Sequence, residues 1–279
     1  MTISIIPLTS PSHLNAFAHV KALAFAESPM SRAMYPPPPD GLKLVEDWYR
    51  AREILAMKDP SQKFFAVVKE LDPSDDDENV DPASCITLPS SEEACDGEQR
   101  KRYVILACAK WSRLSLSDQK NEAANGTEAE QPATQAGTTE GTNASPKDEA
   151  QKLLFDPNYL PKGSNVELMK AFRAGLKEGR KKYIDEEKDS VLDLLCTNPV
   201  YQRQGLGGKL LELCIKLADA ANVRVFLEAT KVGLPLYKRY GWEPVGKLEW
   251  RLEDYGVQDE GDGDGKLVLT QMIREPTRK

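Results

Sequence analysis

Apolar residues in this chain fall into short runs whose spacing switches between about two and about 3.6 residues, so strands and helices both occur and follow one another closely. Ile3 to Leu8 reads as a first strand, ended by Pro7 and by a Ser10-Pro11-Ser12 cluster that can cap a helix. That helix would turn Leu14, Phe17, Val20 and Ala24 inward. From Ser28 to Asp40 the chain reads as irregular, with Pro36 to Pro39 stiff and extended. Leu42 to Met57 has the pattern of a second helix, and Phe64 to Val68 and Tyr103 to Trp111 read as strands. Helical spacing returns at Val166 to Phe172 and runs into a basic stretch, Arg173 to Lys182, that reads as a solvated face. The last third is the most regular. It predicts a strand at Val191 to Thr197, a buried helix at Gly205 to Ala221, a strand at Val223 to Ala229 and a short helix at Gly233 to Tyr240. Closing strands are predicted at Leu248 to Leu252 and Lys266 to Ile273.

Two stretches interrupt the pattern. Residues from about 70 to 101 include Asp72, Asp75, Asp76, Asp77, Glu78 and Asp81, and are too acidic and too poor in apolar residues to pack. Residues from about 115 to 162 form a low-complexity insertion, with no Val, Ile, Leu, Met or aromatic residue between Ser117 and Gln151, so no core can form from it. The acidic Asp259 to Gly265 segment lacks the terminal Glu and flanking helices of a calcium loop and reads as a hairpin turn. With these set aside, the 279 residues read as a single domain, 1–279, of the α/β class.

A formal net charge of −7 and a pI near 5.2 argue against a nucleic-acid partner, whereas basic substrates are electrostatically welcome. The five cysteines, Cys85, Cys95, Cys108, Cys196 and Cys214, match no CxxC metal spacing and imply no disulfide framework. No metal is expected. The absence of a basic, apolar leader and of any run approaching about 18 apolar residues leads to the expectation of a cytoplasmic protein with no membrane partner. His13 and His19 are the only histidines and no carboxylate lies near them in sequence, so they read as surface or cap residues rather than as a catalytic base.

Candidate chemistry concentrates where the strand ending at Thr197 meets the helix entered at Gly205. The first N–H groups of a helix have no intrahelical partner, and the helix dipole adds partial positive charge, so phosphate is favoured there. Gly205, Gly207 and Gly208 let backbone approach a ligand, and Arg203 and Lys209 add charge. A Walker loop fails, because Arg203 stands where its first Gly should be and Leu210 replaces its hydroxyl residue. A dinucleotide fingerprint fails too, since Leu210 occupies its third small position.

What fits is Gln202-Arg203-Gln204-Gly205-Leu206-Gly207, preceded by Asn198-Pro199-Val200-Tyr201 and followed by Leu236-Tyr237-Lys238-Arg239-Tyr240-Gly241-Trp242. In that order these three segments resemble the Gln/Arg-x-x-Gly-x-Gly/Ala loop, its lead-in and the Leu-Tyr-x-x-x-Gly-Phe element of the GNAT N-acetyltransferase family, with Trp242 in place of the usual Phe. The resemblance implies the acyl-CoA N-acyltransferase fold, a mixed central sheet splayed at its central strand with helices on both faces. It implies acetyl-CoA as acyl donor and an amine as acceptor, in a monomer or homodimer. Residue by residue it places the pyrophosphate on Gln202, Arg203, Gln204, Gly205, Leu206, Gly207 and Gly208, and the acyl group beside Cys196 and Thr197. Tyr237 becomes the acid that protonates the departing thiolate. Thr230 stands where many relatives carry a cofactor-touching Asn. Glu228 shares a strand face with Thr230 and is the candidate base, with a structural ion pair as its alternative reading and Asp193 as runner-up. The family also lines its acceptor pocket from the region between the first two helices, where Met30, Met34 and Tyr35 stand as substrate contacts, with a plain proline-rich connector as the alternative.

Overall fold

The computed structural model describes residues 3–71, 80–89, 100–114, 156, 159–258 and 264–277. Most of the low-complexity insertion and of the acidic segment lies outside these residues. The chain runs β1 (Ile3–Pro7), α1 (His13–Phe25), α2 (Pro29–Met34), α3 (Asp40–Met57), β2 (Gln62–Leu71), β3 (Cys85–Pro89) and β4 (Arg100–Ser112). It continues through α4 (Val166–Tyr183), β5 (Ser190–Thr197), α5 (Leu206–Ala220), β6 (Val225–Ala229), α6 (Leu234–Arg239), β7 (Glu243–Arg251) and β8 (Lys266–Arg274).

One mixed sheet holds all of these strands in the order β1-β2-β4-β5-β6-β8-β7, with β3 added along β4. Period-two alternation divides the strands between two cores. Phe64, Ala66, Val68 and Cys108 pack with Leu14, Phe17 and Val20 of α1 on one face. Phe65, Val67, Leu192, Val225 and Leu227 pack with Leu206, Leu210, Leu211, Cys214 and Ala218 of α5 on the other. A third cluster seats α3 and α4 on β7 and β8 through Trp48, Leu168, Trp250 and Leu269. Helices therefore cover both faces, as expected.

Several readings of the sequence change. The expected irregular stretch after Ser28 contains α2, because the Ser28 side chain caps it at Ser31 N and Pro29 sits in its first turn. The acidic stretch packs after all at Cys85–Pro89, where Ile86 is buried and Cys85 to Pro89 pair with Val104 to Arg100. Within 115–162, Leu160 packs against the third cluster. His19 does find carboxylates, in Glu46 Oε2 at 2.8 Å and Asp81 Oδ2 at 2.7 Å, both distant in sequence. Met34 and Tyr35 pack into the third cluster, Tyr35 against Trp48 and Tyr49, and Met30 packs beside them.

Candidate functional site

The site begins with a fault in the sheet. β5 and β6 are parallel and pair only at Ser190 with Val225 and Val191 with Phe226. Beyond those pairs β5 stays with β4 and β6 stays with β8, so the two strands part in the middle of the sheet. Their closed end is pinned, since Arg224 donates from Nε to Asp189 Oδ1 at 3.0 Å and the Ser190 N–H donates to the Arg224 carbonyl at 2.9 Å. β5 also carries a bulge. Trp111 faces Leu192 and Lys110 faces Leu194, which leaves Asp193 as the extra residue. Backbone groups along the inner edges of such a split call for partners, which an amide-bearing ligand can supply as a strand would.

At the open end of β5 the chain turns through Pro199–Tyr201, with the Val200 N–H donating to Asn198 Oδ1 at 3.2 Å and Gln202 Nε2 donating to the Thr197 carbonyl at 3.3 Å. Arg203 and Gly205 take positive φ, +65° and +76°, so the loop doubles back before α5. Gln202, Arg203, Gln204, Gly205 and Lys209 are exposed around it. Lys209 N–H bonds the Gly205 carbonyl at 3.2 Å, while no side chain caps α5, so the N–H groups of Leu206, Gly207 and Gly208 point out of the helix end without helical acceptors. Forgoing a cap costs a few tenths of a kcal/mol beside Gly. Burial of Leu210 and Leu211, at roughly 1.5–3 kcal/mol each, offsets that easily. The helix can therefore keep an anion-binding end. Gly207 lies at the junction, with Thr197 Oγ1, Leu195 and Leu236 each 3.8 Å from where a Cβ would stand. Gly208 lacks a Cβ for a different reason: the Tyr240 hydroxyl, which donates to Glu212 Oε1 at 3.0 Å, lies 2.5 Å from that position. Its bareness serves packing, and only its N–H serves the helix end.

Thr230 ends β6 and starts α6. Its hydroxyl accepts from Gly233 N at 3.2 Å and its carbonyl from Leu234 N at 2.9 Å. That start aims Tyr237 inward against Trp242, ring centroids 6.0 Å apart. The Tyr237 hydroxyl has no hydrogen-bond partner among the described residues. Burial, and then the neighbouring Cys196, push its pKa up, so it stays a phenol and a potential proton donor. Cys196 itself packs toward the α1 side, its Sγ 3.3 Å from that of Cys108.

Glu228 occupies the other reading left open for it. Both its oxygens accept from Arg180 of α4, from Nε and Nη2 at 2.8 Å each, and Arg180 Nη1 donates to Asp193 Oδ1 at 3.1 Å. Ser112 Oγ donates to Asp193 Oδ2 and takes a hydrogen bond from Gln62 Nε2 at 2.9 Å. Burial pulls the Arg180 pKa down, but Glu228 and Asp193 more than reverse it, so the guanidinium is permanently charged. Both Glu228 oxygens are thus engaged by Arg180 rather than turned toward an acceptor. Arg180 was invisible in the sequence because its partners lie far from it along the chain. The one signal was the four-residue spacing of Gly175 and Gly179, a bare helix face inside a basic stretch.

The profile of the Acetyltransferase (GNAT) domain matches residues 180–251, from Arg180 through the split, the loop and α6 into β7. The chain is 31% identical over 107 residues to an uncharacterised N-acetyltransferase of Bacillus subtilis (YitH), covering 29% of this chain and 38% of that protein. It is 28% identical over 105 residues to an uncharacterised N-acetyltransferase of Schizosaccharomyces pombe, covering 38% and 39%. The matched region thus spans about two fifths of the length of these relatives. Arylalkylamine N-acetyltransferase 2 of Aedes aegypti superimposes with a TM-score of 0.51 at 12% identity, over 99% of this chain and 100% of that one, and shows the same fold. The sheet splayed between β5 and β6 and the glycine loop at α5 both fall within the region that matches the Acetyltransferase (GNAT) domain.

Proposed function

We propose that the chain transfers an acetyl group from acetyl-CoA to a primary amine by direct attack. One observation carries the reading: β5 and β6 part beyond Val191 and Phe226, the uncapped start of α5 at Leu206–Gly208 follows β5, and α6, which follows β6, carries Tyr237 beside Cys196 of β5. The pyrophosphate binds at Leu206, Gly207 and Gly208 N–H, with Arg203 and Lys209 beside it. The acyl arm lies in the split next to Cys196 and Thr197. The amine nitrogen attacks the thioester carbonyl carbon, the C–S bond breaks, and Tyr237 gives its proton to the leaving sulfur. Water first takes a proton from the acceptor's ammonium, so that the neutral amine is what attacks, because Arg180 holds both oxygens of Glu228. Glu228 and Asp193 instead contribute negative charge that favours a cationic acceptor.

Calorimetric titration with acetyl-CoA tests the reading, repeated with Gly205→Trp and Gly207→Trp and followed by thiol release against a panel of amines. Binding by the native chain that either Trp variant abolishes, with thiol released by at least one amine, is the expected result. Binding without thiol release from any amine would leave a coenzyme-A-binding protein without acetyl transfer. No heat and no thermal stabilisation by acetyl-CoA would sink the proposal altogether.

A further inference from the structure

The last hydrogen-bonded pairs between β5 and β6 are at Val191 and Phe226. Asp193 and Glu228 each stand two residues further on, one on either side of the parting strands. Arg180 spans that gap with every nitrogen of its guanidinium engaged, Nε and Nη2 on Glu228 and Nη1 on Asp193. Asp193 is itself the bulged residue of β5 and is anchored from behind by Ser112 and Gln62.

The helix that delivers Arg180 is seated unusually close. A Cβ on Gly179 would stand 2.1 Å from Gln271 Nε2, and one on Gly175 would stand 2.7 Å from the Trp250 ring. Gln271 pairs in register with Glu228, so the contact that seats α4 and the contact that Arg180 makes share one rung of the β6–β8 ladder.

We infer that Arg180 is a positioning residue of the acyl groove: by bridging Asp193 on β5 and Glu228 on β6 at the first step past their last pairing, it fixes how far the strands separate. A planar fork is suited to this, since it can hold two carboxylates in set directions where a lysine ammonium supplies only a point charge. The inference rests on the acetyl-CoA reading of the split, but one of its measurements does not.

Two readouts are needed, the acetyl-CoA dissociation constant by calorimetry and amide hydrogen exchange in the ligand-free protein. Arg180→Met should weaken acetyl-CoA about tenfold or more, since misplacements near 1 Å at a reacting site cost up to about a hundredfold. It should also speed exchange at Leu194 to Thr197 and Leu227 to Ala229 while leaving α5 unchanged. Arg180→Lys should recover only part of both effects. Gly179→Ala, which keeps the charge but lifts the helix, should reproduce the defect, and Lys181→Met, on the exposed side of the same helix, should not. A lowered melting temperature in Arg180→Met with affinity and exchange at the split unchanged would overturn the inference. So would full rescue by lysine. If the native chain itself fails to bind acetyl-CoA, the functional reading fails while the exchange measurement still decides the role of Arg180.

Discussion

The two faces of the sheet meet the split with opposite chemistry. On the α5 side, polar groups are left over: the Leu206, Gly207 and Gly208 N–H groups lack helical acceptors and the Tyr237 hydroxyl has no partner among the described residues. On the α1, α3 and α4 side two charged clusters are closely paired. Arg180 and Glu228 use every nitrogen and oxygen they have on each other and on Asp193, and Glu53 holds Lys21 Nζ at 2.6 Å and Lys110 Nζ at 2.8 Å. Leaving donors unpaired costs stability, and satisfying buried charges restores it, so under the proposed function one side is the receiving side and the other holds the strands in place. Substitutions on the holding side should cost stability, and substitutions on the receiving side should cost function with little loss of stability.

The largest effect is expected at Glu53, which is 1% exposed. Glu53→Ala leaves Lys21 and Lys110 without their shared carboxylate and should destabilise the protein by about 3–5 kcal/mol in denaturant unfolding. A loss near zero would show that water reaches the cluster. The same residue sets an acid limb. Burial raises the Glu53 pKa, but Lys110 and Lys21 reverse this and hold it well below the usual carboxylate range. Its stabilising contribution is therefore complete above the unfolded value of about 4.3 and is lost as pH falls toward the folded one. Unfolding followed between neutral pH and acid should show this limb in the native chain and a flatter one in Glu53→Gln.

Tyr237→Phe is the counterpart on the receiving side. Loss of the proton donor should lower kcat by about a hundredfold or more, with acetyl-CoA affinity and melting temperature almost unchanged, because the ring still packs on Trp242. The raised pKa adds a second check. Tyr237 stays protonated beyond its ordinary value near 10, so an alkaline fall in kcat with that midpoint would assign the proton to another group. Gly205→Ala comes next. At φ +76° a Cβ has open space but the wrong backbone region, so the cost is about 1 kcal/mol of stability, read by thermal unfolding.

What could be read in the sequence follows the same division. The receiving side is local: strand, glycine loop and helix are contiguous from Val191 to Ala220, and a helix end exposes its N–H groups whatever else the chain does. The holding side is assembled from distant segments. Arg180 and Glu228 are 48 residues apart and Lys110 and Glu53 are 57 apart, so neither pair leaves a trace in spacing. That is why an ion pair could be offered as one reading of Glu228 while its partner stayed hidden. β3 was missed for a related reason: Ile86 and Leu88 are too few to mark a strand, and it forms by adding to the edge of β4.

Thr230 gives the smallest and sharpest test, because it stands on the border between the two kinds of region. In the sequence it occupies a place where relatives carry a cofactor-touching Asn, which would put it on the receiving side. In the structure its hydroxyl accepts from Gly233 N, the contact that starts α6, so it belongs to the holding kind despite its position. Loss of a turn hydrogen bond of this kind costs about 1 kcal/mol. Thr230→Ala should therefore lower stability by that amount and Thr230→Ser should restore it, with acetyl-CoA affinity following stability only weakly in both. Should Thr230→Ala leave the melting temperature intact and abolish calorimetric binding, the hydroxyl would face the ligand instead, and the border of the receiving side would run through β6 rather than along it.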